Sequence, residues 1–146
     1  MTAPDFIRTW QRKLDALNAN RPRETFIIAQ ELKTAVQLRI QTSGRDYTLT
    51  PFVPYVPTYA ERRKSKGRQT AHVDFTDTGR LWNNIQPEIV ENTPTKTVIV
   101  TTARSNDNKN KLRGALRKRG NITLPSKRDL DLAQKANEAR LQKYLK

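Results

Sequence analysis

The sequence predicts an α+β fold: N-terminal helices and a C-terminal helix packed on a small antiparallel β-sheet, with long basic loops between them. Three observations carry that prediction. Apolar residues recur at helical spacing near both ends of the chain. Two β-branched stretches flank a run of turn formers at Asn92-Thr93-Pro94-Thr95, the pattern of a hairpin. Hydrophobic residues make up only 35 % of the 146 residues, below the roughly 45–50 % usual for globular domains, so one modest core is expected. The chain is read as a single domain over residues 1–146, containing an extended basic arm (51–70) and a polar basic loop (103–120).

The first helix has a start signal in Thr2-Ala3-Pro4-Asp5: a Thr cap, a Pro in the first turn and an acid three residues after the cap. Phe6, Ile7, Trp10, Leu14 and Leu17 form one stripe to about Asn18, and Asn20-Arg21-Pro22 is expected to end it. A second helix, roughly Arg23 to Gln41, places Ile28, Leu32, Val36 and Ile40 at four-residue intervals beside Ala29 and Ala35, and Ser43-Gly44 stops it. Tyr47, Leu49, Phe52 and Val53 suggest the start of a strand. Pro51, Pro54 and Pro57 then impose an extended path through Tyr55 and Tyr59.

Phe75 to Ile85 reads as a turn into a short helix, with Thr76, Asp77 or Thr78 as the cap and Leu81, Trp82 and Ile85 on one face. The hairpin follows, with arms Glu88–Glu91 and Lys96–Thr101. Residues 103–120 read as a polar loop or a weak basic helix. Asn106, Asp107, Asn108 and Asn110 disfavour helix at its start, while Lys111 to Arg119 is compatible with one. The last helix begins after Pro125, where Ser126 and Asp129 make a capping box. Leu130, Ala133, Asn137, Leu141 and Leu145 carry its stripe. Trp10 and Trp82 each sit on an apolar stripe, so both are expected to pack in the core.

Lys and Arg number 28 against 14 acids, a net charge of +14. The excess is +7 in residues 1–73 and +7 in residues 74–146, so it belongs to the body of the protein rather than to a tail. Two runs concentrate it: Arg62, Arg63, Lys64, Lys66 and Arg68, and Lys109, Lys111, Arg113, Arg117, Lys118 and Arg119. These eleven residues are the candidate interface. A surface of this sign attracts phosphate and releases counterions, or orders against an acidic protein. Neither run is interleaved with aromatics, which disfavours stacking on single strands.

The sequence gives no ground for catalysis. It has no cysteine and one histidine, His72, so thiolate and paired-histidine metal sites are not expected. No glycine-rich phosphate loop is present. Asp74 and Asp77 are close enough to act as an acid–base or Mg²⁺ pair, but Asp in such a context usually forms a turn or caps a helix. No cofactor and no enzymatic activity are expected. The first ten residues carry Asp5 and Arg8 without a continuous apolar segment, so no signal peptide is expected. The longest apolar runs, such as Phe26-Ile27-Ile28-Ala29, are only a few residues long, so no membrane partner is expected.

The stretch Asp74-Phe75-Thr76-Asp77-Thr78-Gly79-Arg80-Leu81-Trp82-Asn83-Asn84-Ile85 resembles the "D-T-G-x-L-x-x-S-I" signature of the tail-completion, or virion-morphogenesis, proteins of tailed bacteriophages. Asp77, Thr78, Gly79, Leu81 and Ile85 carry the match, and Asn84 stands where the family usually has Ser. Arg62-Arg63-Lys64-Ser65-Lys66-Gly67 is similar to the basic segment preceding that signature. Arg119-Gly120-Asn121-Ile122-Thr123-Leu124-Pro125-Ser126 is similar to the "R-x-I-L-x-P-S" run that leads into the family's final helix. The family's "Y-A…G" segment after the hairpin is replaced by the Asn- and Lys-rich residues 104–120. The resemblance covers about residues 45–146.

It implies a structural virion protein at the neck or the head-proximal tail, assembled in the host cytoplasm. Such a protein would close on itself as a hexamer or dodecamer and contact neck or adaptor and tail-tube proteins, with some bases meeting DNA in the channel. Within the signature, Gly79 would take positive φ or allow close backbone approach, Thr78 would cap the next turn, and Leu81 and Ile85 would bury on one face. The alternative is a sequence-nonspecific nucleic-acid-binding protein using the same basic surface.

Overall fold

The computed structural model describes residues 3–93 and 95–145. Its order is α1 (Ala3–Ser43), α2 (Pro57–Lys64), α3 (Arg80–Asn84), β1 (Ile85–Asn92), β2 (Thr97–Ala103), α4 (Asn106–Arg119) and α5 (Lys127–Leu145). The fold is α+β, with one two-stranded antiparallel sheet among the described residues.

Where two N-terminal helices are expected, there is one continuous helix of 41 residues with Pro22 inside it. Pro22 removes one intrahelical bond, a local cost of about 3 kcal/mol. Side chains just before it tighten the same turns: Asn20 Nδ2 donates to the Ala16 carbonyl and Arg21 Nη2 to Asn18 Oδ1, both at 2.8 Å. From Glu24 onward the helix is held by tertiary contacts, which outweigh the local preference to break. Thr2 and its capping role lie outside the described residues, as do the side chains of Phe6 and Leu145. Gly44 ends the helix as expected, with φ +59° and its N–H bonded to the Ile40 carbonyl at 2.9 Å.

The core gathers Val36 and Ile40 from the end of α1 with Phe52, Val73, Trp82, Ile85, Ala103, Leu112 and Ile122. Trp82 is buried as expected. Trp10 is not: Ile7, Trp10 and Leu14 are 65, 40 and 50 % exposed. The N-terminal part of α1 therefore presents Ile7, Trp10 and Leu14 to solvent.

The hairpin pairs Ile85 with Ala103 through Asn92 with Thr97, with an irregularity between Ile89 and Glu91. It lies along α1. The strand suggested near Tyr47 is instead a tight loop closed by an isolated Arg45–Pro51 bridge. Asp46 Oδ1 dictates this by accepting from the Thr48 and Thr50 amides at 2.8 and 3.0 Å, which holds Leu49 at φ +67°.

The α5 capping box forms as read. The Ser126 amide donates to Asp129 Oδ2 at 2.8 Å and the Asp129 amide to Ser126 Oγ at 3.2 Å. The stripe of α5 is only partly buried, since Ala133 is buried but Leu130 is exposed. Charge does much of the docking on α1. Buried Glu24 accepts from Lys143 Nζ at 2.8 Å, Tyr144 Oη at 2.9 Å and Arg140 Nε at 3.3 Å. Arg39 bonds Asp129 Oδ2 at 3.0 Å and the Leu124 carbonyl at 2.9 Å.

Candidate functional site

The two basic runs are helical in large part. Pro57 starts α2 after an extended Val56 (φ −61°, ψ +146°), the conformation proline imposes on its predecessor. The eight-residue helix that follows turns Arg63 inward, where it is 2 % exposed. Its Nε donates to the Gln69 carbonyl at 3.0 Å and its Nη1 to the Thr76 carbonyl at 2.7 Å. Its Nη2 meets both Asp74 oxygens at 3.1 and 3.2 Å. The guanidinium also lies over the Tyr55 ring, 4.6 Å from its centroid. Arg63 is therefore a structural ion pair and not a surface contact, which corrects its place among the interface candidates.

Asp74 is the hub of that arrangement. Beyond Arg63, its Oδ1 accepts from Tyr55 Oη at 2.9 Å and the Thr76 amide at 2.8 Å, and its carbonyl accepts from Trp82 Nε1 at 3.0 Å. Burial first, and the neighbouring Asp74 carboxylate with it, push the Tyr55 hydroxyl up to about 12. Asp74 is thus a turn former, as read, and every polar group around it is satisfied within the fold. The turn puts Phe75 at φ +53°, an uncommon conformation for a non-glycine residue, and sets its ring edge-on to Phe52 at 5.2 Å.

The signature residues build a turn into α3. Gly79 has φ +75° and is the N-cap of α3, with no side-chain cap bond; this corrects the expectation that Thr76, Asp77 or Thr78 caps it. Thr78 is exposed, and Asp77 is exposed and ion-paired with Arg68. Trp82 and Ile85 enter the core, with Leu81 half-buried against it.

On the other side, the run read as a loop or weak helix is the 14-residue α4. Ser105 caps it, accepting from the Asn108 amide at 3.3 Å, so Asn106, Asp107 and Asn108 occupy the first turn, where short polar side chains are tolerated. Lys109, Lys111, Arg113, Arg117 and Lys118 are exposed. Lys111 pairs with Asp107 at 2.6 Å, and Arg119 donates to the Val53 carbonyl. On α2 and after it, Arg62, Lys64 and Lys66 are exposed.

Part of each run meets across one cleft of about 610 Å³ between α2 and α4. Its floor is Tyr55, Val56, Tyr59, Phe75, Leu81 and Ala115, and Lys111, Lys118 and Arg119 stand at its rim. Tyr59, Arg63 and Asp77 also line a smaller polar recess of about 120 Å³ with Arg62, Lys66 and Arg68. Sequence reasoning missed that Tyr55, Tyr59 and Phe75 line one cleft with the cations of α4. The proline-spaced arm carried the tyrosines, but only the fold brings them beside α4.

His72 is absorbed by the fold, its Nε2 lying 2.8 Å from the Gln41 carbonyl. Among the described residues no group of three His, Cys, Asp or Glu side chains is placed to hold a metal ion, and no helix is long and apolar enough to cross a membrane. Compared with protein-family models, curated proteins and solved structures, the chain finds no match.

Proposed function

We propose that this chain is a non-catalytic structural subunit of a tailed-bacteriophage virion, forming a closed ring at the neck or the head-proximal end of the tail and completing the tail or joining it to the head. The observation that carries the reading is the signature segment. Its glycine sits at φ +75°, the turn delivers Trp82 and Ile85 to the core, and a hairpin, α4 and the C-terminal helix follow. A hairpin after the signature and a final helix are what the resemblance implies; α4 occupies the residues that replace the family's "Y-A…G" segment.

The surface supports assembly. The α1 stripe at Ile7, Trp10 and Leu14 is exposed, as are Val90 and Val100 on the hairpin. Exposed apolar residues at helical spacing on one face of α1 are surface that a neighbouring subunit in such a ring would cover. Among the described residues the sheet has two strands, so each strand leaves one edge unpaired, and such edges are templates for pairing with another chain. Ring closure would come from heterologous contacts between copies, with neck, adaptor and tail-tube proteins as the outer partners.

The alternative, sequence-nonspecific nucleic-acid binding, is less favoured because Arg63 and Arg68 are already engaged within the fold. Electron microscopy of particles assembled without this chain tests the proposal. Separate filled heads and tails are expected. Normally joined, infectious virions would overturn it.

A further inference from the structure

We propose that the cleft between α2 and α4 is a docking groove for an acidic amphipathic helix of a partner protein. The inference is independent of the ring reading, because it rests on the shape and charge of the cleft alone.

The cleft, at about 610 Å³, falls within the range of about 300–1,000 Å³ typical of sites that enclose a ligand. Its floor is mainly apolar, and Val56 and Tyr59 are exposed there without covering from the rest of the chain. Gly114 supplies an independent observation. It lies inside α4 and lines the cleft, yet a Cβ built on it would meet nothing within 4 Å. A mid-helix glycine weakens a helix relative to alanine, and no packing within this chain requires one here. What the glycine provides is a bare stretch of helix backbone beside Ala115, where a second helix can lie close.

The rim sets the partner's sign. Lys111 and Lys118 are seven residues apart on α4 and both line the cleft, with Arg119 beside them; the one acid in the lining, Asp77, is ion-paired with Arg68. Among the described residues Lys118 has no acidic partner, and Lys111 has only the exposed Asp107. An apolar floor bordered by cations on one helix fits a helix with an apolar stripe flanked by Asp or Glu.

The aromatic geometry disfavours nucleic acid as the occupant. Arg63 lies over the Tyr55 ring, and the Tyr55 and Tyr59 planes are inclined at 62°, so they do not offer parallel platforms for successive bases. A second copy of the α1 stripe is disfavoured as the occupant, because Ile7, Trp10 and Leu14 are flanked by Arg8, Arg12 and Lys13, the same sign as the cations of the rim.

Fluorescence anisotropy with the full chain tests the groove, at about 150 mM salt, where charges act over roughly 8 Å. The probes are two labelled synthetic helices of about four turns with the same leucine stripe, one flanked by Glu and one by Lys, and labelled oligo(dT). The Glu helix is expected to bind at least about tenfold tighter than the Lys helix. Gly114→Leu fills the groove without changing net charge and should weaken the Glu helix about tenfold while leaving the melting temperature unchanged or raised. Lys118→Glu, at an exposed position that folding does not depend on, should weaken it several-fold. No binding of the Glu helix would overturn the proposal, as would equal binding by wild type and the Gly114→Leu variant. Loss of oligo(dT) binding in that variant with the Glu helix unaffected would reassign the cleft to nucleic acid. Dissociation of a self-assembled species by the same variant would reassign it to a second copy.

Discussion

The Arg63 guanidinium and the Asp74 carboxylate meet at 3.1 Å inside the fold, and that pair ties the basic helix α2 to the turn that opens the signature. Removing one partner of a buried, hydrogen-bonded ion pair leaves the other charge uncompensated, at a cost of roughly 3–5 kcal/mol. Arg63→Ala should therefore lower the unfolding free energy by that order in urea denaturation. The adjacent, exposed Lys64→Ala should change it by no more than about 0.5 kcal/mol. Similar values for the two variants would show that Arg63 is not buried as described.

Gly79→Ala isolates the backbone conformation of the signature. A Cβ there would meet only Asn83 Nδ2, at 3.9 Å, so crowding is absent and the strain of φ +75° remains. The expected loss is about 1–2 kcal/mol, read as a shift in the denaturation midpoint with an unchanged slope. A neutral substitution would mean that the turn does not hold positive φ.

Glu24 gives stability a pH dependence. Hydrogen bonds from Lys143 and then Tyr144 hold its carboxyl below the ordinary glutamate value of 4.5, against the opposing effect of burial. A carboxyl whose folded pKa is depressed stabilises the fold above the unfolded value, and that contribution is lost as pH falls through the folded one. The thermal stability of the wild type should therefore fall on acidification below about 4.5, and Glu24→Gln should flatten that decline. An unchanged acid profile in the variant would remove Glu24 from the α1–α5 contact.

The continuity of α1 was not legible in the sequence, for a physical reason. Asn20-Arg21-Pro22 is a valid local stop signal, and it is overridden by contacts that arrive from α5, over 100 residues away in the chain, such as Arg140 and Lys143 on Glu24. Pro22→Ala should thus raise both helical ellipticity and stability, by up to about 3 kcal/mol, read by circular dichroism during thermal unfolding. No gain in either would indicate two separate helices.

Elements whose cause is local were legible. The hairpin follows from its β-branched arms, the α5 start from Ser126 and Asp129, and the α1 end from Gly44. The site was legible only as charge. The basic runs could be counted, but nothing in their spacing showed that Arg63 turns inward, because that depends on Asp74 eleven residues later. Nor did it show that Tyr55, Tyr59 and Phe75 floor a cleft walled by α4. Trp10 and Trp82 make the same point, since both sit on apolar stripes and only Trp82 has enough surrounding chain to cover it.

Mass spectrometry of intact, purified virions, with copy number per particle, tests the structural-subunit reading most directly. The chain is expected in the particle at about six or twelve copies, the number one hexameric or dodecameric ring would hold. Its absence from particles would contradict the account and leave its basic surface to a partner outside the virion.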